Sequence, residues 1–249
     1  MNRLDLDDRE GTPGVVGILL AAGRSRRMGQ PKQLLRLGGD NTVIEVVTRR
    51  VRPHVDGLVV VVGHVGGQVA AVIADLDITL AINHDVDRGM LSSVQAGVRA
   101  AGTRCRGYLI CLGDQPSLRA SVIEAVLRRA ERHPATGEAG IVIPTFDGER
   151  GHPVFIHSRY RDEILALDPE AAGLHAVTRG HVDDTVEIAV DDRLILDDMD
   201  TPPALTDGYT DFLEFEGDYA LDYVIALEHD TPLPCTILGI FPQLNTQDG

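Results

Sequence analysis

Lysine is almost absent from this chain. Of its 23 basic residues only Lys32 is a lysine, and every other is an arginine. Tryptophan is missing altogether, and Phe and Tyr supply 4% of the residues. Cysteine is scarce: Cys105, Cys111 and Cys235 form no C-x-x-C pair, and an odd number argues against a disulfide framework, so a reducing, cytoplasmic setting is expected. No run is long and apolar enough to span a bilayer, and the first residues are too acidic for a signal or transit peptide, which excludes a membrane role. Positive charge is the last shortage. With 38 acidic residues the formal net charge is −15, leaving no basic stripe to neutralise a nucleic-acid backbone. The same field disfavours a small polyanion, so any such substrate needs local cations or a metal ion.

At 249 residues and 43% hydrophobic content the chain can bury a full core. Short apolar runs at 15–20, 57–62, 78–82, 108–112 and 141–143 alternate with amphipathic segments at 42–52, 67–76, 91–101 and 119–133. Continuous apolar strands between such helices predict a doubly wound, mostly parallel sheet in a three-layer α/β/α arrangement, with ligands beyond the carboxyl ends of the strands. A further strand at 154–156, helices at 159–167 and 171–178, and a strand at 185–190 extend the pattern. One domain is expected over 14–205, followed by an extension at 206–249 whose aromatic cluster (Tyr209, Phe212, Phe215, Tyr219) fits either a cover for the sheet edge or an interface.

Four elements bear chemistry. Residues 23–32 leave the first strand as a loop with two glycines and three arginines, ending on Lys32. Glycine lets backbone N–H groups approach an anion and the cations neutralise it, which points to phosphate. The loop matches neither G-x-G-x-x-G nor the Walker pattern. A compact ammonium in a chain that otherwise uses guanidinium suggests a role for which Arg is a poor substitute. Gly113-Asp114-Gln115-Pro116 follows an apolar strand; Asp114 suits either a hard cation beside the phosphate loop or the cap of a helix starting near Ser117. Asp197-Asp198-Met199-Asp200-Thr201-Pro202 follows the apolar Leu194-Ile195-Leu196, read as a strand, and is either solvated surface or the second half of a metal clamp. Arg150-Gly151-His152-Pro153 displays an imidazole on a tight turn, where a histidine more often serves structure than function.

Together with Gly89-Met90-x-Ser92-Ser93-Val94, these elements in this order resemble the molybdenum-cofactor cytidylyltransferase family, and more broadly the nucleotidyltransferases that activate sugars and alcohols. The resemblance spans about 16–202 and implies a Rossmann-like nucleotidyltransferase fold. It implies that Leu20, Ala21, Ala22 and Gly23 contact the base, that Arg27 and Lys32 meet the triphosphate, and that Ser93 lies near base or ribose. Asp114 and Asp200 would hold Mg²⁺, with Mn²⁺ as an alternative, and Asp114 would also border the nucleotide. His152 would face the acceptor. Ala21-Ala22-Gly23, where guanylyl-transferring relatives usually have Ala-Gly-Gly, favours CTP over GTP. The implied reaction joins CTP to the terminal phosphate of molybdopterin, with a molybdenum hydroxylase apo-enzyme as recipient; the alternatives are another phosphorylated acceptor or GTP, or a non-catalytic carrier of the cofactor. Pro203-Ala204 depart from the acidic pair that often follows Asp-Thr-Pro in the family. A phosphate monoester, with its second pKa of about 6, is mostly a dianion at neutral pH and requires no general base; none stands in the motifs.

Overall fold

A computed structural model describes residues 14–23, 31–37, 41–131 and 139–197, and the backbone of 223–225 and 240–242. The elements run β1 (Val15–Ala21), α1 (Val43–Val51), β2 (Gly57–Val62), α2 (Gly66–Val72), β3 (Thr79–Ile82), α3 (Met90–Ala101), β4 (Gly107–Leu112), α4 (Ala120–Ala130), β5 (Ile141–Phe146), β6 (Glu149–Arg150), β7 (Val154–His157), α5 (Arg161–Ala166), α6 (His175–Gly180) and β8 (Thr185–Ala189). A two-stranded ladder of β9 (Tyr223–Ile225) and β10 (Ile240–Pro242) completes them.

The first eight strands form one sheet in the order β3-β2-β1-β4-β7-β5-β6, with β8 paired to β5. Pairings β1–β2, β1–β4, β2–β3 and β5–β8 are parallel. Alternation along β1 sorts its side chains between two cores. Val15 and Leu19 join Val43 and Val47 of α1 and Val122 and Val126 of α4. Val16 and Ile18 face Leu91, Val94 and Val98 of α3, Ile164 of α5 and Val177 of α6. A sheet buried on both faces explains the near-continuous apolar strands, and the three-layer expectation holds.

Helix α1 starts with a reciprocal cap. The Thr42 hydroxyl accepts from the Glu45 N–H, while a Glu45 carboxylate oxygen accepts from the Thr42 N–H at 2.8 Å. Such caps contribute about 1 kcal/mol.

The structure departs from the sequence reading in the second half. β7 runs antiparallel between β4 and β5. A buried antiparallel strand has the same unbroken apolar pattern as a parallel one, so periodicity cannot separate them. β6 and β7 are two pieces of one return strand along β5. Their register differs by two residues: Thr145 faces Arg150 and Phe146 faces Glu149, whereas Ile141 faces Ile156 and Val142 faces Phe155. His152 and Pro153 therefore bulge out of the ladder, while the Gly151 N–H still donates to the Pro144 carbonyl at 2.9 Å. Residues 194–196, expected to be strand, instead belong to a 3-10 turn (Arg193–Ile195) and its C-cap Leu196, because the Asp192 carboxylate accepts from the Leu194 N–H at 3.1 Å and winds the backbone. The helix expected at 67–76 stops at Val72, and that expected at 171–178 runs His175–Gly180. The aromatic stretch 209–219 lies outside the described residues. No helix among the described residues is long and apolar enough to cross a membrane.

Candidate active site

The carboxyl ends of β1 and β4 lie side by side, with Leu20 opposite Leu112. At this rim the ammonium of Lys32 forms an ion pair with the carboxylate of Asp114. Both side chains are largely withdrawn from solvent, at 11% and 15% exposure, so the pair is screened far less than a surface one. Lys32 opens a short 3-10 turn (Lys32–Leu34) directly after Pro31, whose backbone is extended. The next residue anchors that turn. The Gln33 amide donates to the Ala21 carbonyl at 3.2 Å and the Gly23 carbonyl at 2.9 Å, tying the end of β1 to the base of the lysine turn.

Asp114 is held by its own neighbours. The Gly113 N–H donates to the Leu20 carbonyl at 2.9 Å, continuing the ladder past the strand end. A Cβ on Gly113 would lie 2.8 Å from that oxygen, so only glycine permits the approach. The capping alternative for Asp114 fails: α4 starts at Ala120, and its cap residue is Arg119. A hard carboxylate oxygen that retains some exposure at the rim fits a divalent cation such as Mg²⁺ or Mn²⁺.

His152 reaches the same place from β7. It is half-buried, and desolvation pushes its imidazole down to about 4, with the nearby Asp114 carboxylate opposing the shift. At neutral pH it is an uncharged hydrogen-bonding group, not a cation. Its backbone N–H donates to the Ile195 carbonyl at 3.1 Å, and the Gln115 amide donates to that same oxygen at 3.1 Å. Gln115 is 2% exposed, and among the described residues its Oε1 has no hydrogen-bond partner.

Ser93 stands farther along the rim, in the first turn of α3. The Asn83 amide, just past β3, donates to the Ser92 hydroxyl at 2.8 Å and the Ser93 hydroxyl at 3.0 Å. Its Oδ1 accepts from the Asp85 N–H at 2.8 Å, and its own N–H continues the ladder to the Val62 carbonyl. Leu20, Ala21, Ala22 and Gly23 form the exit of β1, the last of them exposed. Arg27 and Asp200 lie outside the described residues. Asp114 thus pairs with Lys32 and lies near enough to His152 for its charge to be felt there, and Ser93 lies toward the β3 edge. Gln33 and Asn83 escaped the sequence reading because neutral amides have no pattern of their own. The usable signals were position: one residue after the sole lysine, and one after a strand end.

A mostly parallel sheet with an ammonium–carboxylate pair at the ends of its central strands is the architecture of a nucleotidyltransferase. The chain belongs to the family of MobA-like NTP transferase domains, whose model matches residues 17–186. Purine catabolism protein PucB of Bacillus subtilis (strain 168) is 27% identical over 199 residues, covering 77% of this chain and 94% of that protein. Nicotine blue oxidoreductase of Paenarthrobacter nicotinovorans is 31% identical over 171 residues, covering 67% and 82%. Molybdenum cofactor cytidylyltransferase of Escherichia coli (strain K12) is 25% identical over 186 residues, covering 74% and 90%. Among solved structures, Rv0371c from Mycobacterium tuberculosis H37Rv matches with a TM-score of 0.68 at 26% identity, over 82% of this chain and all of that one. The same protein is known in complex with manganese, matching at a TM-score of 0.64.

Proposed function

We propose that the chain transfers the cytidylyl group of CTP to the terminal phosphate of molybdenum-loaded molybdopterin, forming the cytosine dinucleotide and pyrophosphate. The observation that carries this reading is the Lys32–Asp114 pair at the joined ends of β1 and β4. Similarity to the cytidylyltransferase over 90% of its length supports the choice of acceptor. Leu20 to Gly23 offer backbone groups to the base, and Ser93, held by Asn83, stands by base or ribose. Lys32 and Arg27 neutralise the triphosphate, whose difficulty is the approach of a second anion. Asp114 and Asp200 hold Mg²⁺, which when bound neutralises the developing charge on the phosphates. His152, uncharged, hydrogen-bonds the acceptor. The acceptor phosphate is its own nucleophile, and no group of the chain removes a proton from it. The catalytic unit is residues 14–205, and a molybdenum hydroxylase apo-enzyme receives the product.

Pyrophosphate release with Mg²⁺ and molybdenum-loaded molybdopterin, measured with CTP, GTP and ATP in parallel, tests this. Release with CTP alone supports cytidylyl transfer. Preference for GTP keeps the site and overturns the base assignment. The likeness to nicotine blue oxidoreductase favours one second reading, a redox role on the same scaffold. Silence with all three nucleotides from folded protein, with electron transfer to a redox dye, would select it.

A further inference from the structure

The loop that carries Asp114 is held from outside the rim. Its Leu118 N–H donates to the Gln115 carbonyl at 3.2 Å, closing a tight turn with Pro116 in second place, where a fixed φ is favoured. That bond leaves the Pro116 and Leu118 carbonyls to find donors elsewhere, although both residues are buried. Arg50, in the last turn of α1, supplies them. One guanidinium nitrogen donates to the Pro116 carbonyl at 3.0 Å and to the Leu118 carbonyl at 3.1 Å, across 66 and 68 positions of the chain.

Position on the helix brings it there. Arg50 stands one turn beyond Val47, which packs in the same core as Val122 and Val126 of α4. Its stem therefore follows the buried face, and its head reaches the loop that precedes α4. The adjacent Arg49 is exposed and pairs instead with Asp75 at 3.4 Å. At its other end α1 holds the lysine turn, since the Val43 N–H donates to the Leu35 carbonyl at 2.8 Å. One helix thus braces both members of the Lys32–Asp114 pair, the lysine turn through its first residue and the Asp114 loop through Arg50.

We propose that Arg50 is a positioning residue for Asp114: by fixing two carbonyls of the loop just after it, the guanidinium sets where the carboxylate stands at the rim, and so how well it holds a divalent cation. This rests on the reading of Asp114 as a metal ligand. Lysine is a poor substitute, because its ammonium ends one bond short of the guanidinium nitrogen that makes both contacts. Groups that orient metal ligands typically change metal affinity by about 10–100-fold when removed.

The test is a Mn²⁺ titration followed by the electron paramagnetic resonance of free ion, on the full chain and on Arg50→Met, Arg50→Lys, Arg49→Met and Asp114→Asn, each with its thermal melt. Arg50→Met is expected to bind Mn²⁺ about tenfold more weakly than the wild type, Arg50→Lys more than about threefold more weakly, and Asp114→Asn not at all. Arg49→Met, which removes the same charge from the same helix, should match the wild type. If Arg50→Met melts lower but the folded protein binds Mn²⁺ within about threefold of wild type, Arg50 merely supports the fold and the proposal is overturned. Should Arg50→Met fail to fold, wild-type affinity in Arg50→Lys overturns it equally, as does an equal loss in Arg49→Met. Loss of binding in Asp114→Asn alone leaves the metal reading standing and removes only the positioning role. A wild type that binds no Mn²⁺, or an Asp114→Asn that binds it normally, removes both.

Discussion

The side-chain amide of Gln33 donates to the carbonyl oxygen of Gly23 at 2.9 Å, joining the two ends of the arginine-rich stretch between them. A second bond, to Ala21, makes Gln33 the brace that keeps the exit of β1 beside the lysine turn. Gln33→Leu leaves two carbonyls without their donor and is expected to cost about 2 kcal/mol of stability. On the proposed role of Leu20 to Gly23 at the base, KM for CTP should rise about tenfold with kcat little changed. Denaturant melts and initial-rate kinetics read the two effects separately, and an unchanged KM would show that the brace does not shape the nucleotide site.

Lys32 puts the only ammonium side chain of the molecule at the rim. Lys32→Ala is expected to lower turnover by about 10²–10³-fold, the usual loss for one preorganised donor. A loss below about threefold would exclude it from the phosphate site. Lys32→Arg keeps the charge but not the compact geometry, and should recover only a small part of the rate.

His152 links the site to pH. Its imidazole titrates at about 4 when folded, against 6.5 ordinarily, because burial disfavours the charged ring. Between those values the unfolded chain takes up a proton that the folded chain refuses. The contribution is therefore fully present above pH 6.5 and is lost as the pH falls toward 4. Relative to His152→Gln, the wild type should lose about 2 kcal/mol between pH 7 and 5, read from urea unfolding at each pH. Parallel curves for the two proteins would mean that the folded imidazole titrates normally.

Asn83 donates to both serine hydroxyls at the start of α3. Asn83→Ala frees the Ser93 hydroxyl to rotate and is expected to raise KM for CTP about fivefold, corresponding to about 1 kcal/mol, while kcat holds. Equal falls in kcat and kcat/KM would instead place the interaction in the transition state.

Strands β1, β2 and β4 were legible because each is apolar with a glycine at or just before its start, as at Gly57 and Gly107. The doubly wound order followed from helices between them. Lys32 and Asp114 were legible as residues because their types and strand-end positions point to the same chemistry, but their contact is a fact of tertiary structure. The antiparallel course of β7 was hidden, since Val154-Phe155-Ile156 reads alike in either direction. Leu194-Ile195-Leu196 misled for a related reason: three apolar residues fit a strand or a buried turn, and the deciding group is the Asp192 carboxylate two residues upstream. The convergence of Gln115 and His152 on Ile195 joins residues about 40 and 80 positions apart, beyond any local pattern.

β7 is the one strand of the central row that meets the rim at its beginning. At β1 to β4 the chain leaves the sheet there; at β7 it comes in, from a hairpin whose tip, Asp147-Gly148, has positive φ at both residues. The two halves of the rim are therefore borne on different segments of the chain. A graft confined to residues 147–153 exchanges what His152 presents while the β1, β3 and β4 exits stay untouched. On the proposed reading, in which His152 faces the acceptor and the β1 exit the nucleotide, the first could change without rebuilding the second.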